Sequence, residues 1–303
     1  MKNQPFLLFY FFLLCCSISL FSCTSKTQLS KVEENYLSQN PDITVGIYIY
    51  YPPFEFITEN GQVNGILIEY FNKLESNIGH TFKKKYYTDW QLLIDDQKKN
   101  KIDVILEIQS TEERRKYLNF TKPVFIGRHI ILTKNDSQNK KITDLYGKKV
   151  CVCEDYSIEE YIRNKHPDII RVLKPDEIAC INALFNNEVE AVIGIESAIN
   201  YFITKEGFSN LTVQNAIAYK SELSFGISKG KPILTDIIKK GNNSITVKEK
   251  DEILNKWLYD LPQPFDKKAP YYKKLVSGLS VLFVLSFLLN LYLIMKLKAF
   301  KKK

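Results

Sequence analysis

Residues 43–56 read Ile43-Thr44-Val45-Gly46-Ile47-Tyr48-Ile49-Tyr50-Tyr51-Pro52-Pro53-Phe54-Glu55-Phe56, and the kind of fold turns on how that order is read. Residues 43–47 alternate as a strand does, with successive side chains on opposite faces. The run ends at two prolines, which cannot donate to a sheet ladder. Tyr50, Tyr51 and Phe54 therefore leave a strand end on a stiffened loop. Strand ends of open α/β sheets are where such folds take their ligands. Asn60-Gly61 follows as a hairpin-type turn. Residues 66–78 then place apolar side chains at 67, 70, 71, 74 and 78, the period of an amphipathic helix.

Further along, the pattern predicts a strand over 82–86, a helix over 90–98 and a strand over 104–108. Ser110-Thr111-Glu112-Glu113 has capping-box spacing, so a short helix carrying Arg114 in its first turns is expected there. A second β/α series starts at Val150. It has strands to Cys153, over 169–172 and over 191–195, with helices from Ser157, over 177–186 and from Ser197. Strands alternating with helices at this spacing imply parallel sheets with helices on their faces. Two such series joined by extended stretches make two lobes, with the chain crossing at 126–133 and again at 223–227. Lobe 1 is then 43–130 with 224–261, and lobe 2 is 131–223. Thr246-Val247-Lys248-Glu249 is a further capping box that opens a last helix ending near Trp257.

The flanks read differently. Lys2, an apolar run over 6–14 and small residues before Cys23 describe a secretion signal over 1–23. Leu20-Phe21-Ser22-Cys23 resembles a lipoprotein processing site, which makes Cys23 a candidate for lipidation. Residues 24–42 are polar with little periodicity and read as a spacer. Residues 262–274 read as a stalk, and 275–295 carry no formal charge over 21 residues. At the rise of an α-helix that is roughly 30 Å, enough to cross a bilayer core. Residues 296–303 form a basic tail expected on the cytoplasmic side.

The net charge of +8 is misleading as a signature of nucleic-acid binding. From Pro262 onward there are nine lysines and one acid, Asp266, so the whole excess sits there, leaving 33 basic and 33 acidic residues before it. No nucleic-acid partner is expected. The chain has no Gly-x-Ser-x-Gly, no P-loop, no Gly-x-Gly-x-x-Gly and no histidine pair at ligand spacing among His80, His129 and His166. No metal and no cofactor are therefore expected. Cys151 and Cys153 lie two apart on a predicted strand and share a face. They read as buried apolar fillers, with a bridge from Cys180 to one of them as the alternative in an oxidising compartment.

Three features suit a small polar ligand. They are the aromatic loop of Tyr50, Tyr51 and Phe54, the guanidinium of Arg114, which forks onto carboxylates, and a helix start at Ser157-Ile158-Glu159-Glu160 that offers free N–H groups to an anion. Each has a plainer reading, as core packing, a surface ion pair with Glu112 and an ordinary helix cap.

Taken in order, these segments resemble the family 3 extracellular solute-binding proteins. The likeness rests on Tyr51-Pro52-Pro53-Phe54-Glu55-Phe56, Glu59-Asn60-Gly61-Gln62 with Gly65, Trp90-x-x-Leu93, Ile102-Asp103-Val104 and Thr111-Glu112-Glu113-Arg114. It continues through Phe120-Thr121-x-Pro123, Gly147-Lys148-Lys149-Val150 and Glu188-Val189-Glu190-Ala191. Tyr156-Ser157-Ile158-Glu159-Glu160-Tyr161, Pro167-Asp168-Ile169 and Asn255-Lys256-Trp257-Leu258 look most like the sensor-domain versions attached to membrane kinases and cyclases.

The resemblance implies an α/β, two-lobed flytrap of the periplasmic-binding-protein type II kind, followed by the C-terminal transmembrane helix. It implies an extracytoplasmic receptor for an amino acid or small carboxylate, serving a transporter permease or a sensor kinase. Arg114 stands where the family's carboxylate-gripping arginine does, Tyr51 where its aromatic wall does, and Ser157 where a hydroxyl of the second lobe does. Two departures follow. The acid that holds the ligand's ammonium is replaced at Ile195, with Glu196 next to it. The small hydroxyl residues before the arginine are replaced by Glu107 and Gln109. The expected ligand residues are therefore Tyr51, Phe54, Glu107, Gln109, Arg114, Ser157 and Glu196. The alternatives are a cyclohexadienyl-dehydratase-like enzyme using Glu154 or Glu196 as general acid, and a degenerate, ligand-free interaction domain.

Overall fold

The structure is a computed structural model, and it describes residues 27–134 and 140–258. The expected signal with Cys23, and the stalk, membrane helix and basic tail, lie outside the described residues. No helix among the described residues is long and apolar enough to cross a membrane.

The chain opens with helix α1 (Lys31–Gln39), inside the stretch expected to be a spacer. The expectation fails there because this helix is not held by an apolar stripe. Ser30 and Glu33 cap each other, Leu37 is buried, and Glu33 pairs with Lys240 at 2.7 Å. Strand β1 (Thr44–Tyr48) leads to the short β2 (Tyr50–Tyr51), β3 (Glu55–Ile57) and β4 (Val63–Asn64), which form a separate three-stranded sheet. The Pro52–Pro53 peptide between β2 and β3 is cis. Gly65 then turns the chain at φ +136°, where an added Cβ would collide with the Phe54 carbonyl. Only glycine tolerates both conditions.

Helix α2 (Ile66–Ile78) matches the sequence period, and Leu67, Tyr70, Phe71, Leu74 and Ile78 are all buried. At roughly 1.5–3 kcal/mol for each such side chain, this face is a principal stabiliser of lobe 1. Then follow β5 (Lys83–Tyr87), α3 (Trp90–Lys98), β6 (Val104–Gln109), a 3-10 turn (Arg114–Lys116), β7 (Leu118–Phe120) and β8 (Phe125–Lys134). Lobe 2 holds β9 (Lys149–Cys153), α4 (Ser157–Lys165), β10 (Ile170–Lys174), α5 (Glu177–Phe185), β11 (Ala191–Ile195) and α6 (Glu196–Glu206). The chain returns through β12 (Leu211–Ser228) and ends its described part with α7 (Pro232–Ser244) and α8 (Val247–Leu258).

All the larger strands join one sheet in the order β10-β9-β11-β8-β12-β6-β1-β5, with β7 beside β12. Within each lobe the pairing is parallel: β1 with β5 and β6, and β9 with β10 and β11. The crossing strands β8 and β12 are antiparallel to each other and occupy the centre. The expected crossings fall on these two strands, although β12 is much longer than residues 223–227. One apolar core surrounds α2, β1 and β6, and two smaller ones lie on either face of the lobe 2 strands.

Cys151 and Cys180 form a disulfide, while Cys153 is a free, buried thiol. The filler reading therefore holds for Cys153 alone. Helix α5 packs on β9 and brings Cys180 to Cys151 with a Cα–Cα distance of 5.4 Å, inside the range that a disulfide spans.

Candidate functional site

Strand β6 is buried along its whole length, and its side chains alternate. Glu107 and Gln109 therefore share one face, and both line a small cavity where the lobes meet. Tyr51, Trp90 and Arg114 join them from lobe 1, and Tyr156, Ser157 and Ile158 from lobe 2. His129, Ser221 and Leu223 come from the crossing strands.

The turn that carries Arg114 is not the helix expected from Ser110. Its backbone is held by Thr111, whose hydroxyl accepts from the Arg114 N–H at 3.3 Å and whose carbonyl accepts from Arg115 N–H at 3.0 Å. Ser110 accepts from the Arg115 guanidinium instead. Arg114 is 8 % exposed, and its guanidinium carries the contacts. It donates to the Gln109 carbonyl at 3.1 Å and, across the lobe boundary, to the Asp155 carbonyl at 2.7 Å. Asp155 has φ +59°, a left-handed turn between β9 and α4. Trp90 lies under the guanidinium at 5.8 Å from ring centre to Cζ, and Tyr156 contacts both Trp90 and Tyr51 edge-on.

Gln109 gathers the other polar contacts. Its amide donates to the Tyr219 hydroxyl and the Lys220 carbonyl, and its oxygen accepts from Ser157 at 2.9 Å and Ser221 at 3.3 Å. Ser157 is thus the first residue of α4, behind an uncapped Tyr156, and the capping box expected there does not form. Its hydroxyl is oriented by Gln109, while Glu159 pairs with Arg163 and Arg171.

The cavity these groups enclose is only about 20 Å³, room for about one water molecule. Beyond the Arg114–Asp155 bond lies a groove of about 350 Å³ lined by Gln91, Lys98, Glu113, Glu159, Glu160 and Arg163 among others. Arg114 and Tyr156 belong to both spaces and stand between them.

Burial dominates the electrostatics. It pushes the Glu107 carboxyl up to about 7, against the downward pull of Arg114. Burial also raises Glu177 at the start of α5 to about 8, and raises Glu55 above the usual carboxylate range. His129 is pushed down to about 4 and is neutral near pH 7. Among the described residues no group of three or more His, Cys, Asp and Glu is arranged to hold a metal ion.

Five of the seven expected residues, Tyr51, Glu107, Gln109, Arg114 and Ser157, come together here. Phe54 does not: it is fully buried, packed on Tyr51 and Phe125 with ring centres 4.9 Å apart in both pairs. Glu196 does not either, because it opens α6 at the surface and accepts from Arg128 at 2.7–3.0 Å. Ile195 packs into the lobe 1 core. Glu154 is exposed, so neither acid proposed for an enzyme lines the cavity. Trp90, Tyr156, His129 and Ser221 were not expected. Trp90 and Tyr156 stand in the quoted family segments without a role, whereas the Asp155 carbonyl leaves no trace in a sequence.

The profile of the bacterial extracellular solute-binding proteins, family 3, matches residues 43–260. The chain belongs to that family. The L-cystine-binding protein TcyJ of Escherichia coli K12 is 25 % identical over 244 residues, covering 80 % of this chain and 88 % of that protein. The sensor protein EvgS of the same strain is 24 % identical over 275 residues, covering 86 % of this chain but 22 % of EvgS. Among solved structures, the periplasmic VFT2 domain of Bordetella pertussis BvgS matches with a TM-score of 0.69 at 18 % identity, covering 76 % of this chain and 99 % of that one. An ancestral arginine-binding protein bound to arginine matches at 0.65 and 24 %, covering 71 % and 97 %. The family and the two-lobed α/β fold expected from the sequence are therefore both found. Members of this family are solute-binding proteins, and a histidine kinase sensor domain with similarity to periplasmic binding proteins shares the fold at a TM-score of 0.67 and 24 % identity, covering 74 % of this chain and 98 % of that one.

Proposed function

We propose that this chain is an extracytoplasmic receptor whose lobes close around an amino acid or other small carboxylate, with Arg114 gripping the carboxylate. The observation that carries the reading is the state of that arginine. It is buried, it faces the cavity, and its partners are two backbone carbonyls, with no carboxylate at ion-pair distance among the described residues. A buried guanidinium with donors to spare suits a bidentate acceptor. Tyr51, Trp90 and Tyr156 supply the aromatic wall, and Ser157 and Gln109 supply hydroxyl and amide groups from opposite lobes.

Because the cavity is smaller than any amino acid, entry requires the lobes to part and the Arg114–Asp155 and Ser157–Gln109 bonds to be exchanged for bonds to the ligand. A ligand biases such an equilibrium only as far as it prefers one arrangement. The relatives support two outputs: TcyJ is a binding protein by name and EvgS a sensor protein. A permease or a kinase in the membrane would read the closure, with the chain tethered by residues 275–295 and, on the lipoprotein reading, by Cys23.

A thermal-shift screen of the full chain in mild detergent, against the twenty L-amino acids and small carboxylates, tests this. At least one compound should raise the melting temperature, and Arg114→Ala should abolish the rise. No response in the wild type, or an equal response in the variant, refutes the reading.

A further inference from the structure

Glu107 is the charged group in the cavity that the reading above leaves without work. It lines the space and is 7 % exposed, and among the described residues no hydrogen bond or ion pair holds its carboxyl. Arg114 acts on it through space and not by contact. Its surroundings make the bareness costly. Glu55 and Glu177 lie within electrostatic range, both buried, each with one carboxyl oxygen lacking any partner. Neither Glu107, Glu55 nor Glu177 has a basic partner at ion-pair distance among the described residues; the nearby acid Asp103 does, pairing with Lys231. Glu107 thus feels two buried acids and one arginine. A carboxyl in low dielectric with no donor is stabilised most by a cation brought to it.

The position that would otherwise supply an acid offers nothing, since Ile195 is apolar and sits in the lobe 1 core. Resting on the receptor reading, we infer that Glu107 receives the ligand's ammonium group, so that the site selects a zwitterion, with carboxylate on Arg114 and ammonium on Glu107. The acid expected on the second lobe is thus provided by the first, from strand β6. An ammonium brings a charge-assisted bond and a compensating positive charge there, whereas a hydroxyl in its place donates only a neutral hydrogen bond and leaves the carboxylate's charge uncompensated.

The experiment pairs each of the twenty L-amino acids with the 2-hydroxy acid of the same side chain, lactate against alanine being one pair. Binding to the full chain in detergent is measured by titration calorimetry for the wild type, Glu107→Gln, Glu107→Asp and Arg114→Ala. For the best pair, the wild type should prefer the amino acid by roughly 10- to 150-fold, the worth of one bond to a charged group. Glu107→Gln, which keeps the shape and loses the charge, should reduce that preference below about threefold. Glu107→Asp, which keeps the charge, should retain part of it and guards against a mere folding defect. Equal wild-type affinity within a pair, or an unchanged preference in Glu107→Gln, overturns the inference while Arg114 dependence keeps the receptor reading standing. An Arg114→Ala variant that binds like the wild type overturns the receptor reading itself, and a wild type that binds no member of the panel overturns both.

Discussion

Replacing Glu177 by glutamine should stabilise the protein in alkaline solution and leave it unchanged in acid. Glu177 starts α5, is 2 % exposed, and has one carboxyl oxygen without a partner. Burial lifts its carboxyl from 4.5 to about 8. A carboxyl raised in the folded state keeps its proton there while the unfolded chain has released it. Its contribution is therefore fully present below about pH 4.5, fades as pH rises, and is gone above about pH 8. The gap between 4.5 and 8 corresponds to about 5 kcal/mol, from which relaxation of the buried site subtracts. Glutamine carries no charge at any pH, so the variant should pull ahead of the wild type across that window.

Urea unfolding of the full chain at pH 5, 7 and 9, followed by tryptophan fluorescence, reads the difference. With a slope of roughly 2 kcal/mol per molar urea, the midpoint of Glu177→Gln should exceed that of the wild type by 1–2 M at pH 9 (roughly 2–4 kcal/mol), and by little at pH 5. Part of the wild-type pH dependence survives in the variant, because Glu107 is raised over the same window to about 7. Identical midpoints at all three pH values, or a variant weaker than the wild type at pH 9, would refute the account of a buried, uncompensated carboxylate.

Two further outcomes follow. The disulfide closes a loop with a sequence separation of 29, for which chain entropy gives about 3.6 kcal/mol; Cys180→Ala should lower the urea midpoint accordingly and remove any sensitivity of the midpoint to reductant. Glu196→Gln breaks an ion pair on an exposed arginine, so stability should change by less than about 1 kcal/mol and affinity for any ligand found should not change.

How far the sequence reveals this molecule depends on whether a signal is local. The period of residues 66–78 defines α2 with the bounds observed, because five apolar side chains on one face suffice. The capping box at Thr246 forms as read, with Glu249 accepting from the Thr246 N–H at 2.9 Å and Thr246 accepting from Glu249 at 3.3 Å. The same pattern at Ser157 fails because its hydroxyl is engaged by Gln109, 48 positions upstream, and at Ser110 because Thr111 does the holding. Glu33 and Lys240 are 207 positions apart, so α1 was invisible to any periodicity. The site divides the same way. Glu107 and Gln109 share a face by strand alternation alone, but that Glu196 turns outward to Arg128 depends on where β8 runs. Phe54 illustrates the opposite error: an aromatic residue beside a ligand loop is as useful to the core as to the cavity.

The junction of the lobes has a mechanical consequence. Strands β8 and β12 are hydrogen-bonded to each other from Leu211–Lys134 through to Leu223–Phe125, across the whole passage between lobes, with two breaks in register around Ala216. A pair of laced strands resists stretching and unzipping, since either would strip backbone groups of their partners, but a β-ribbon twists readily. The lobes are therefore joined by a torsion spring and not by a pair of loose hinges. In the receptor proposed above, opening would run chiefly through the twist of this ribbon, whose ladder is thinnest in the irregular stretch between Val213 and Lys220. A substitution there would alter how far and how easily the trap swings without touching a single residue that lines it.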